Sequence, residues 1–134
     1  MTPHRSLPII AAALAALAAP AQRATAQAAA TPDSAAIRLA KGMTLFRGKG
    51  LCFSCHGKEG EGVLAPSTRL AGRPLVHTKP NVPDVVALIK IGVDSAHSTI
   101  GQPMPARGGS RLTDTEVEAV AWYVMELQKK KSRG

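Results

Sequence analysis

Aromatic side chains are scarce in this chain: Phe46, Phe53, Trp122 and Tyr123 are all it has in 134 residues. The length supports one domain at most. With so few large rings, its side chains leave a small core short of apolar bulk, a shortage that suits a domain folded around a buried cofactor. Cysteine is scarcer still, with Cys52 and Cys55 alone. A structural zinc site needs four nitrogen or sulfur ligands, usually with a second paired cluster, and His77 and His97 are isolated and badly spaced for it. No strand pattern precedes Cys52, which excludes a thioredoxin-like pair at the end of a strand. There are no internal repeats and no convincing strand anywhere. No apolar run reaches the roughly 20 residues that span a bilayer comfortably.

Acids are also few, 9 against 17 Lys and Arg, for a net charge of +8. The start of the chain explains part of the imbalance. Met1 to Arg5 is short and basic, Leu7 to Ala19 is apolar, and small residues follow at Ala24-Thr25-Ala26 and Ala26-Gln27-Ala28. That order is the layout of a secretory signal peptide over residues 1–28, cleaved near 26–28. An uncleaved membrane anchor is the competing reading. Residues 29–33 read as a short leader and 34–131 as the folded domain. Losing Arg5 and Arg23 lowers the charge to about +6. An exported protein rarely meets nucleic acid, so a basic surface points to an acidic redox partner, with membrane contact at most peripheral.

What the chain does contain is Cys52-Phe53-Ser54-Cys55-His56. C-x-x-C-H is the signature of covalent c-type haem attachment. The spacing sets both sulfurs on one side of a helical turn, where each can form a thioether to a haem vinyl group. His56 then supplies the proximal imidazole to the iron. A plain disulfide remains open, but it leaves His56 without a role.

Around this motif the periodicity predicts three main helices. The first starts at Asp33 or Ser34 and runs to Phe46 or Arg47, with Leu39, Gly42, Met43 and Phe46 on one face. Glycine inside a helix costs roughly 1 kcal/mol against alanine, so Gly42 predicts a close crossing by another helix. Gly57 to Gly62 is a polar, glycine-rich loop without the strand and helix of a phosphate site. Pro66 follows in an extended segment, and a carbonyl there is expected to orient His56 through its second nitrogen. Asn81 to Asp84 starts a second helix that Gly92 stops. Thr113 and Glu116 form a capping box for the third, from Asp114 to about Lys130, with Leu112 stapled onto Val117.

The second axial position decides the task. Met43 and Met125 lie on helices and read as core gap-fillers. Met104 sits between Pro103 and Pro105 in a stiff loop, 48 residues beyond His56, enough chain to cross to the other face of a haem. His77 and His97 are the rival ligands. Met/His ligation raises the reduction potential and suits electron transfer.

In these residues the chain resembles a bacterial class I (small, monohaem) cytochrome c. The likeness runs from about Ala35 to Gln128: Gly42-x-x-x-Phe46, Cys52-x-x-Cys55-His56, Pro66, Met104-Pro105, and a last helix with Trp122-Tyr123. It implies an all-α cytochrome c fold, three main helices wrapped around one covalently attached haem. It further implies haem on Cys52 and Cys55, iron between His56 and Met104, and the Pro66 carbonyl behind His56. The expected function is one-electron transfer in the periplasm between redox partners, with no catalysis. Lys49, Lys58 and Arg107 are the expected docking charges near an exposed haem edge at Phe53 and the loops flanking Met104. A haem subunit of a larger dehydrogenase or oxidase complex is the alternative. A five-coordinate sensor or peroxidase-like enzyme is a third reading, in which Met104 never binds.

Overall fold

A computed structural model describes residues 32–130 of the chain. The expected signal peptide, the leader up to residue 31 and Lys131 lie outside the described residues. Four helices follow in order: α1 (Pro32–Arg47), α2 (Phe53–His56), α3 (Val82–Ile91) and α4 (Asp114–Gln128). Short 3-10 turns occur at Pro66–Thr68 and Ala106–Gly109. Among the described residues the only extended pairing is a single bridge between Val93 and Met104. No helix among them is long and apolar enough to cross a membrane.

The helix ends form where the sequence supplies caps. The Asn81 side chain accepts from the Asp84 N–H at 2.9 Å, and Pro83 occupies the first turn of α3, where its missing N–H costs nothing. Gly92 ends α3 at φ 76°, in the left-handed region open to glycine. At α4 the Glu116 N–H donates to Thr113 Oγ1 and the Thr113 N–H to Glu116 Oε2, at 3.3 and 2.8 Å. Leu112 and Val117, the expected staple, are both buried. Lys49 Nζ adds bonds to both Glu116 oxygens at 2.8 and 2.7 Å. Led by the Lys49 bond and then the Thr113 N–H, these contacts hold the Glu116 carboxyl down at about 2. A depressed folded value means the contribution is present above the usual carboxylate range and fades as pH falls toward 2. The last helix ends at Gln128, two residues earlier than its periodicity suggests.

α1 and α4 cross at Gly42. A Cβ there would lie 2.0 Å from the Ala119 carbonyl oxygen and 3.1 Å from Tyr123 Cβ, so only glycine admits the approach. One turn on, Phe46 meets Tyr123 edge to face, with centroids 5.2 Å apart. Phe46, Val117, Val120 and Leu127 are the largest fully buried side chains. α3 adds Val85 and Ile89 to this core, while Met43 and Met125 pack on its margin as expected. The Tyr123 hydroxyl and Arg47 Nε both donate to the Lys58 carbonyl, at 3.3 and 3.0 Å. Arg47 also pairs with Glu59. Those bonds tie the loop after His56 to both long helices.

Replacing Gly42 by alanine should lower the unfolding free energy by about 3 kcal/mol, because the obstructing atoms are backbone and cannot rotate away. Urea unfolding of the two proteins measures this. Equal midpoints would contradict so close a crossing.

Candidate haem site

The attachment turn is built by a sharp reversal. The Gly50 N–H returns to the Leu45 carbonyl at 2.8 Å, and Leu51 takes the left-handed φ of 56°. Cys52 then caps α2 with helical dihedrals, and the His56 N–H donates to its carbonyl at 3.0 Å. Cys52, Cys55 and His56 therefore share one helical turn, and all three line a cavity of about 190 Å³.

Phe46 of α1, Val85 and Ile89 of α3, and Val120 and Val124 of α4 form its apolar walls. Packed interiors leave few voids larger than one water, so a space of this size between the helices is a binding site and not a packing fault. Its apolar walls suit a flat organic ring. The donor set at its edge, two thiols and an imidazole with a thioether among the lining groups, is the set that haem attachment requires. The residues present fit a haem. They do not fit a dithiol redox pair, which needs a lowered thiol pKa. Burial, with a smaller push from Cys55, raises the Cys52 thiol to about 11.

His56 is half-buried, and its Nδ1 lies 2.6 Å from the Thr68 carbonyl oxygen. A carbonyl only accepts, so Nδ1 carries the proton and Nε2 keeps the lone pair for a metal. Burial pushes the His56 pKa down, against the opposing pull of the Thr68 carbonyl, which favours the neutral ligand form. The carbonyl behind His56 was expected from Pro66, and the structure corrects this. Pro66 opens the 3-10 turn, so its carbonyl bonds forward to the Arg69 N–H at 3.3 Å and also accepts from Arg73 Nη1 at 3.0 Å. Thr68 closes the turn, where a carbonyl lacks an in-turn partner and can accept from outside. The Thr68 hydroxyl is a second brace, donating between the Cys55 and Ala65 carbonyls at 2.8 and 2.7 Å.

Met104 is half-buried and lines the same cavity as His56. Prolines flank it as expected, but its backbone is fixed by a further device. The Val93 N–H donates to the Met104 carbonyl and the Met104 N–H to the Val93 carbonyl, both at 2.8 Å. Gly92 makes this possible, since a Cβ there would lie 2.3 Å from the Met104 oxygen. His77 also lines the cavity, but it is exposed. His97 lies outside the lining, with Nδ1 2.8 Å from Asp94 Oδ1.

Two of the three expected docking cations are occupied within the fold. Lys49 pairs with Glu116, while Arg107 pairs with Asp114 and donates to the Leu112 carbonyl at 2.7 Å. Thr68, Gly92 and Val93 went unread as site residues. Gly92 carried a signal, because a glycine before a fixed loop marks close backbone approach as well as a helix stop.

Thr68→Val should lower stability by about 1–3 kcal/mol, since it removes the hydroxyl that bonds the Cys55 and Ala65 carbonyls and takes away the acceptor of the Ala65 N–H, while Thr68→Ser should restore most of it. Denaturant midpoints of the haem-loaded proteins check this, and a valine variant as stable as the parent would contradict the brace.

Comparison with known proteins agrees with this geometry. The profile of one protein family, described as Cytochrome c, matches residues 39–128, from the middle of α1 to the last residue of α4. Comparisons with curated proteins and with solved structures give no significant match. The match covers most of the chain and includes the attachment turn, the His56 brace and Met104. The chain belongs to the cytochrome c family.

Proposed function

We propose that this haem c protein is a class I, monohaem electron carrier, its iron held between His56 Nε2 and Met104 Sδ. The observation that carries the reading is the pairing of two differently fixed side chains on one apolar cavity. His56 is braced through Nδ1 by Thr68, and Met104 is pinned through its backbone by Val93. Only two cysteines are present, which allows one attachment motif and so one haem.

Bound haem c supplies a one-electron ferric–ferrous couple. The chain's part is to keep the ligands still while the charge changes. Thr68 fixes the imidazole tautomer, and the thioether of Met104, a soft ligand, favours the ferrous state and a high potential. With both axial positions taken by side chains, no site is left for oxygen or peroxide. On this reading the protein relays electrons and is not an enzyme. The basic start and the apolar run within residues 1–28 support export to the periplasm. The positive net charge supports partners with acidic docking surfaces.

Met104→Ala should keep the covalent haem, lose the near-infrared sulfur-to-iron band of the ferric protein, and drop in potential by on the order of 0.1 V, a fraction of the range that axial ligands command. His77→Ala should keep the band. An unchanged spectrum in the Met104 variant would reassign the ligand.

A further inference from the structure

A run of unpaired charge lies in the stretch behind His56, whereas most cations around the loop that holds Met104 are paired. Between Gly62 and Pro83 the chain has no Asp or Glu, yet it carries Arg69, Arg73 and Lys79. No ion pair among the described residues involves these three. Carbonyls fix two of them without cancelling their charge: Arg69 Nε donates to Ala71 at 2.9 Å, and Arg73 Nη1 to Pro66 at 3.0 Å. Guanidinium heads held this way meet a partner with little further loss of side-chain freedom. The surroundings of the Met104 loop are different, because Arg107 in it, Lys90 on α3 and Lys49 before the attachment turn are each paired with Glu116 or Asp114, which leaves Arg111 as the cation without an ion pair there.

The same stretch is apolar at the cavity mouth. Leu64 and Val76 line the cavity and are 42% and 65% exposed, and Leu51, which lines it next to Cys52, is 48% exposed. An apolar centre with a fixed charged rim is the anatomy of a protein docking site. We propose that residues 63–79, with Leu51, form the docking face for an acidic redox protein, one that sets carboxylates around an apolar patch over its own electron-transfer centre. The inference rests on the electron-carrier reading above and adds which face is used. Charge complementarity selects the partner's sign. Closeness to the cavity favours a protein over an anionic lipid surface, because lipid neither gives nor takes electrons. Glu61, between two glycines that pack on Arg69 to Ala71, is the acid nearest this stretch, and the three cations outnumber it, so encounter is steered and falls off with salt.

The test uses the mature, haem-loaded protein in its reduced form, oxidised by ferricyanide in a stopped-flow instrument at low and high ionic strength. Poly-L-glutamate serves as the macromolecular probe, its contacts mapped by amide shifts. Arg73→Glu with Lys79→Glu should slow the low-salt reaction by roughly tenfold, within the range that steering commands, and abolish glutamate-induced shifts in 63–79. Lys41→Glu with Arg111→Glu, the same change of charge elsewhere, should slow it far less. If charge reversal at Arg73 disturbs the Pro66 turn, Arg73→Gln with Lys79→Glu keeps a donor for that carbonyl and should show an intermediate rate. Equal slowing by the control pair would overturn the proposal. So would an unchanged rate in a Arg73/Lys79 variant that loses binding to phosphatidylglycerol vesicles, which would make this a lipid face. Failure of the carrier reading itself would show earlier and separately, as a wild-type spectrum without two axial ligands.

Discussion

An apolar space between α1, α3 and α4 that the chain's own side chains do not fill is the constraint on which this structure depends. With two phenylalanines, one tryptophan and one tyrosine, the sequence lacks the volume to close that space. Trp122 does not help, since it is 41% exposed and lies beneath the Arg38 guanidinium on the outer surface. The frame must therefore hold its shape around a cofactor. The close contact at Gly42, the Phe46–Tyr123 edge and the caps of α3 and α4 provide that frame. The thiols at the rim then make the filling group permanent. Packing and function are one arrangement here, because the ring that completes the core also carries the electron.

The two residues proposed as axial ligands are positioned by opposite means. His56 is held locally, on the turn that bears the cysteines, and Thr68 reaches that turn twice, through its carbonyl and its hydroxyl. Met104 is held at long range, at the end of a loop that α3 launches and the Val93 bridge closes. Each hold uses a backbone group, the Thr68 carbonyl behind His56 and the Val93 amide and carbonyl beside Met104. A metal site that must not rearrange during electron transfer gains from backbone bonds, which have fewer alternatives than side-chain rotamers.

Much of this was legible in the residues, and the boundary of legibility is physical. The attachment motif is a local pattern of reactive groups, so its chemistry could be read directly. The capping box at Thr113 and Glu116 and the glycine at 42 could be read too, because each states a backbone requirement in its side-chain identity. The brace on His56 could not. It is a carbonyl, which every residue owns, and the 3-10 turn decides whether Pro66 or Thr68 offers it. The Val93–Met104 bridge is likewise a backbone pairing between residues whose side chains announce nothing. Charge pairing was hidden for a related reason: Lys49 meets Glu116 across 67 positions, so its charge is cancelled by a residue that sequence distance separates.

That cancellation reshapes the view of the surface. The sequence carries its positive charge almost throughout, but the fold pairs Lys49, Lys90 and Arg107 with acids beside the Met104 loop and leaves Arg69, Arg73 and Lys79 without an ion pair. The central claim remains that both faces of the iron are occupied by this chain's own side chains. Carbon monoxide added to the reduced, mature protein at neutral pH tests it most directly, with the Soret absorption as the signal. The account predicts no change, because Met104 holds the position the gas would need; immediate, stoichiometric uptake would contradict it.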